Sequence, residues 1–235
     1  MLENPTQILT GFSTADIAGL LLLFIGWTVI GRVIEHPPSS RPSTHTLMVH
    51  YRRRWMMEMQ ARDVRIFDSA VLNGLRQGTT FFASACMIAI GGGAALIGQA
   101  EQLISVAQDL SPALADPKVV LEAKLILVVL IVTSAFLKFV WSHRLFSYAA
   151  VVMAAVPNLG ADNEGERMRM AERAAVLQIT GARSFNRGLR ALYFALAALA
   201  WLLGPAAFLL ATAATLMMLY RREFNSASRK ALLPD

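Results

Sequence analysis

LEAKLILVVLIVTSAFLKFVW (121–141) decides which solvent this chain folds in. A helix needs about 20 predominantly apolar residues to cross ~30 Å of hydrocarbon, and this stretch has that length with few charges. Lys124 stands beside Glu122 near one end. Lys138 lies about 16 residues into the helix, ~24 Å along it, close enough to the opposite surface for its ammonium to reach headgroups. Three further stretches repeat the pattern: Ile17–Ile34, Thr79–Ile97 and Leu189–Tyr220. The expected fold class is therefore all-α: a polytopic membrane protein with four transmembrane helices. They should lie at about 15–34, 79–98, 120–141 and 189–219 in a single membrane domain over residues 1–235.

Composition points the same way. A hydrophobic content of 55% and a mean hydropathy of +0.48 are too apolar for an ordinary soluble domain. The net charge is +6. Beside membrane spans, basic charge first signals topology and attraction to anionic lipid headgroups. No basic region forms a nucleic-acid reading element, so nucleic acid is not an expected partner. The single cysteine, Cys86, excludes an intramolecular disulfide and a cysteine-based zinc cluster; it suits a small packing position within a span. The N-terminal MLENPTQILTGFSTAD has no Lys or Arg and no small-residue cleavage site, so Ile17–Ile34 is expected as a retained span rather than a secretory signal. Ser13 or Thr14 can cap that helix, with Asp16 at the positive end of its dipole.

Charge sets the orientation. Residues 1–16 carry Glu3 and Asp16 without a basic side chain, and 98–120 holds Glu101, Asp109 and Asp116 against Lys118. By contrast, 35–78 holds Arg41, Arg52, Arg53, Arg54, Arg62, Arg65 and Arg76, and 158–190 holds Arg167, Arg169, Arg173, Arg183, Arg187 and Arg190. The arginine-rich segments belong in the cytoplasm, with the N-terminus outside a cell (inner) membrane. Four crossings then leave both chain ends outside and strand Arg221, Arg222, Arg229 and Lys230 on the unfavoured side. Leu145–Val156 cannot supply a fifth crossing, because about 12 residues span only ~18 Å as a helix.

Two helices should outrun the bilayer. His45–Gln77 shows apolar Trp55, Met59, Ile66 and Val71 near helical spacing and is expected to run through Gly78 into the second span. The third span should continue past Lys138 and Arg144 to Pro157. Its extension FSYAAVVMAAV (146–156) is apolar all round and must be buried against protein. The available cover is 45–77, 164–188 and neighbouring subunits. Residues 45–78 and 142–188 thus form a cytoplasmic helical layer, and self-association into a homo-oligomer is expected. HPPSSRPST (36–44) is an extended connection, residues 157–163 form a turn, and Glu164 opens a helix.

No residue cluster amounts to catalytic machinery. His36, His45, His50 and His143 share no helical face with a carboxylate, and no metalloprotease, Walker, dinucleotide or nucleophile-elbow motif occurs. No catalytic, cofactor or metal site is expected, nor an enzyme. No carboxylate lies near a span midplane, which disfavours an ion-coupled transporter or pump. Ser84, Thr133, Ser134, Thr212, Thr215 and Gly91–Gly93 suit helix packing. Trp141 suits an interfacial anchor, and Trp201, deeper, suits packing. Arginines gather at the inner interface: Arg32 closes the first span, Arg76 opens the second, Arg144 lies beyond the third, and Arg187 and Arg190 precede the fourth. Arg54, Arg76, Arg144, Arg187 and Arg190 are the candidate residues for binding an anion or lipid headgroup, since guanidinium forks such groups bidentately. Two roles suit them. One is an anion-attracting vestibule of a homo-oligomeric channel or facilitator; the other is a headgroup site in a lipid-binding or scaffolding protein without transport.

YRRRWMMEM (51–59), VLNGLRQGTTFFASACMIAIGG (71–92), FLKFVWSHRLFSYAAVVMAAVP (136–157) and NRGLRALYFALAALAWLLGP (186–205) together resemble the domain-of-unknown-function family numbered 599. The matching residues are Arg54 and Trp55, Leu75 and Arg76, Ser142 and Arg144, then Arg187, Gly188, Arg190, Ala191, Tyr193, Phe194, Trp201, Gly204 and Pro205. Asn73 departs from the pattern, which more often places the asparagine after the arginine. The resemblance covers about 14 to 220 and implies a four-helix membrane protein with no established activity.

Overall fold

The computed structural model describes residues 12–102, 104–105, 117–160 and 163–233, and no strand occurs among them. The elements used below are α1 (Thr14–Glu35), α2 (Thr44–Gln60), α3 (Ile66–Gly98), α4 (Lys118–Ala154), α5 (Glu164–Leu199), α6 (Pro205–Phe224) and α7 (Ala227–Leu232). Of these, α1, α3 and α4 are long and apolar enough to cross a membrane. The capping predicted for α1 is present. Ser13 Oγ accepts the Asp16 N–H, and the Asp16 carboxylate accepts the Ser13 N–H at 2.7 Å.

The pair α4 and α5 is the frame of the molecule. At 37 residues, α4 is ~55 Å long at 1.5 Å per residue, well over the ~30 Å of a hydrocarbon layer. As the sequence suggests, it continues past Lys138 and Arg144, and α5 starts at Glu164. The two run antiparallel. Ser142 Oγ donates to the Gly181 carbonyl at 2.7 Å and Ser184 Oγ to the Lys138 carbonyl at 2.8 Å. Gly188 permits this approach, since a Cβ there would stand 2.8 Å from the Phe139 ring.

Two expected helices are interrupted. The run His45–Gln77 is not one helix: α2 ends at Gln60 and α3 begins at Ile66. Trp55 Nε1 and Arg62 Nη1 both donate to the fully buried Asp68 Oδ1, at 2.7 and 2.6 Å, which folds α2 back onto the first turn of α3. Arg65 donates to the Val156 and Pro157 carbonyls at 2.7 and 3.0 Å, pinning the bend to the end of α4. The run 189–219 is not one helix either. After α5 a short 3-10 turn, Ala200–Leu203, leads to Gly204 at φ 109°, and Pro205 opens α6. That backbone conformation is open to glycine and essentially closed to other residues, and proline suits the first turn of the next helix. The chain therefore reverses. α6 returns alongside α1 in the same direction, with Phe208 against Gly19 and Leu216 against Gly26. Ser13 and Asn225 consequently lie at opposite ends of the bundle, and Arg41 at the far end of α1 donates to Asn225 at 2.6 Å.

The core has two parts. The first, between the apolar helices, is aromatic: Trp27 stacks on Phe194, Phe82 on Phe139 and Trp201 on Phe208, at centroid distances of 5.4, 5.3 and 4.9 Å. Cys86 is buried in it as a packing residue. Trp201 is buried as expected and also donates to Asp16 Oδ1 at 2.6 Å. The second part joins Phe146, Met153 and Val156 to Met56, Met59, Leu72, Ala174 and Ala175. The apolar extension of α4 is thus covered by this chain's own α2, α3 and α5.

Candidate functional site

At the end of the bundle where α1 finishes, side chains from three helices meet. α1 brings Arg32 and Glu35 in its last turn, α4 brings Lys138, and α5 brings Arg183, Arg187 and Arg190 one turn apart. Glu35 organises the group. Arg187 Nε donates to its Oε1 at 2.8 Å, Arg187 Nη2 to its Oε2, and Arg190 Nη2 to its Oε1. Arg190 and the Glu35 carboxylate are both only 6% exposed, so this is a desolvated ion cluster rather than a surface pair.

Two cavities flank the cluster and share Lys138 and Arg187. One, of about 450 Å³ between α1 and α4, is lined by Trp27, Arg32, Glu35 and Arg190. The other, of about 570 Å³, is lined by Leu130, Leu137, Trp141, Arg183 and Ser184. Lys138 joins them: its Nζ donates to the Ser134 carbonyl at 3.1 Å and to Ser134 Oγ, and lies 5.8 Å from the Trp27 ring centroid. Arg32 and Arg183 have neither ion pair nor hydrogen-bond partner among the described residues. Four cations therefore share a cavity with one carboxylate, Arg183 stands in the adjoining cavity, and two of the five are uncommitted. Along α4, from Lys138 back to Leu130, ~12 Å of helix carries Leu137, 61% exposed, and Leu130, 60% exposed. The result is amphipathic: a cationic mouth with an apolar wall above it. Trp141 is half exposed at the mouth.

The structure separates the five arginines singled out in the sequence. Arg187 and Arg190 come together, on a carboxylate the sequence pattern did not point to. Arg76 lines a different cavity, of about 480 Å³, with Arg65, Ser69, Asn73 and Met153, and its buried Nε has no partner. Arg144 reaches its own neighbour Tyr148 at 3.0 Å, and Arg54 forms a surface pair with Glu58 at 3.8 Å. Of the residues that do build the cleft, Glu35 carries a usable signal: a carboxylate in the last turn of a helix opposes the dipole and demands cations nearby.

His45, at the start of α2, backs onto the cluster. Burial first, and then Arg190, pushes its imidazole down to about 4. Among the described residues no three His, Cys, Asp or Glu side chains gather where they could hold a metal ion.

Comparison with curated proteins and with solved structures finds no match. A family model described as "Protein of unknown function, DUF599" matches residues 18–228. That range contains Arg32, Glu35, Lys138, Arg183, Arg187 and Arg190, so every one of these cleft residues lies inside the match. The chain belongs to this family of proteins of unknown function.

Proposed function

We propose that this protein binds the headgroups of anionic lipids at the cytoplasmic surface of the cell membrane, without transporting a solute. The observation that carries the proposal is the pairing of two uncommitted cations, Arg32 and Arg183, with the half-buried Lys138 beneath an exposed apolar wall. A phosphate between Lys138 and Arg183 leaves its acyl chain free to lie along Leu137 and Leu130. Arg187 and Arg190, saturated by Glu35, hold the mouth in shape. A pore through one chain has less support, because the space between the apolar helices is filled by Trp27, Phe82, Phe139, Phe194 and Trp201.

The proposed topology has five crossings, with the 189–219 run dividing into two at Gly204. The N-terminus lies outside and the C-terminus inside. Support comes from charge: the returning α6 brings Arg221, Arg222, Arg229 and Lys230 to the side of the other arginine-rich segments.

The test is native mass spectrometry of detergent-purified protein titrated with phosphatidylglycerol and, separately, phosphatidylcholine. Each cation near an anionic surface contributes about 1 kcal/mol, so Lys138→Ala with Arg183→Ala should weaken phosphatidylglycerol binding about thirtyfold and leave phosphatidylcholine unchanged. Equal retention of both lipids by parent and variant, with unaltered thermal stability, would overturn the proposal.

A further inference from the structure

A fourth cavity lies on the other side of Arg190, among α2, α5, α6 and α7. It is polar and partly open, about 240 Å³ in volume, and lined among others by His45, Arg52, Asn186, Arg222 and Glu223. At ~30 Å³ per water this is room for about eight waters, hence for a solute of roughly that many heavy atoms. A bare inorganic anion would leave much of it unfilled.

Its two inner charges are not matched to each other. Arg52, part-buried, makes a single side-chain hydrogen bond among the described residues, a long one at 3.4 Å to the amide oxygen of Gln178. Gln178 is fully buried and its Nε2 has no partner, so a second unused donor stands beside the guanidinium. Glu223 accepts the His45 backbone N–H at 3.0 Å. It has no ion pair among the described residues, although Arg190 and Arg222 act on it through space. Burial outweighs those pulls and pushes its carboxyl up, as befits a carboxylate short of a touching cation. A buried charge without a partner is costly, and the cost is recovered when a partner arrives. Here a cation and an anion, each without a touching partner of opposite charge among the described residues, face the same cavity.

We propose that this cavity binds a small zwitterion, its carboxylate on Arg52 and its ammonium on Glu223. His45 and Arg52 stand seven residues apart on α2, ~10 Å of rise, so a ligand whose two charges are separated by several carbons fits better than one bearing both on one carbon. Arg222 and Ser228, both exposed, form the rim and the way in. The site uses none of the residues proposed for the lipid mouth, and it stands or falls independently of that assignment.

The test is isothermal titration of the detergent-purified full chain with 5-aminopentanoate, lysine and glycine. Pentanoate and pentylamine, each keeping one charge, are the matched controls. The expected order is 5-aminopentanoate and lysine ahead of glycine, with both controls at least tenfold weaker. Arg52→Gln and Glu223→Gln should each lower affinity for 5-aminopentanoate tenfold or more, and Arg52→Lys should restore part of the loss. The glutamine at 223 can still accept the His45 N–H, so that variant keeps its fold, and its melting temperature checks this. The proposal is overturned if no zwitterion binds the folded protein, if pentanoate or pentylamine binds as tightly, or if a folded Glu223→Gln variant binds as the parent does.

Discussion

Glu35 sits where a helix least tolerates a carboxylate, next to the exposed carbonyls of its own last turn. It is held there by Arg187 and Arg190, 152 and 155 residues away in sequence. Removing one partner of a desolvated ion group typically costs 3–5 kcal/mol, because the other is left buried and uncompensated. Glu35→Ala should therefore lower the unfolding free energy by about 3 kcal/mol or more in denaturant titrations of the solubilised protein, while Arg54→Ala, at a surface i,i+4 pair, should change it by less than about 0.5 kcal/mol. His45 gives a pH-dependent counterpart. It stays neutral in the folded protein down to about 4 against an ordinary value of 6.5, among Arg183, Arg187, Arg190 and Glu35, with Asn186 and Glu223 also touching it. Between those values the unfolded chain binds the extra proton, so stability falls as pH drops from about 6.5 towards about 4. Thermal melts of the parent should show that loss, and melts of His45→Gln should show less of it. If the two profiles superimpose, His45 is not the group responsible. Of the cleft's cations, Arg187 and Arg190 were legible as candidates because interfacial arginine is readable from span boundaries, whereas Arg32, Lys138 and Arg183 were not singled out for binding. Their partner was not, because one isolated Glu after a span carries no mark of which distant residues it meets.

Among the elements, the Gly204–Pro205 reversal matters most. Hydropathy alone does not distinguish a long apolar helix from two short ones back to back, so 189–219 reads as one span. The glycine and proline that divide it are visible in the sequence, but a Gly-Pro pair also occurs as a kink within a continuing helix, and only the positive φ distinguishes the cases. Gly204→Ala should cost about 1–3 kcal/mol even though nothing lies within 4 Å of the added methyl, whereas Gly31→Ala, with equally open space in an ordinary helix, should be neutral or slightly stabilising. Comparable melting shifts for the two would mean that backbone strain is not the cause. The break between α2 and α3 was hidden for a different reason: helix periodicity persists across 61–65, and the bend is fixed by Asp68, whose two donors come from Trp55 and Arg62.

For the whole molecule, the reversal changes the positive-inside balance. All three arginine-rich segments then share one side, which removes the conflict that four crossings create. Single cysteines in a Cys86→Ser background test this on intact and permeabilised cells with a membrane-impermeant maleimide. Ser13→Cys should label on intact cells, and Ser226→Cys only after permeabilisation. Labelling of both on intact cells would return the count to four. What the sequence conveyed well at this scale was solvent and the overlong third helix, both properties of long runs. It also named the segments that cover the overhang, 45–77 and 164–188, but not the fold-back of α2 that brings Met56 and Met59 onto it.

The overhang also makes the α4–α5 pair a lever. Helices adapt to bilayer thickness by tilting, and a rod ~55 Å long that tilts by roughly 10° moves its far end by about 10 Å. Arg65 ties the foot of α3 to the tip of α4, so the base of α3 and the α2 turn that Asp68 holds against it travel with that tip. A few ångströms of change in membrane thickness would thus be converted, beyond the headgroups, into a displacement large enough for a soluble partner to sense.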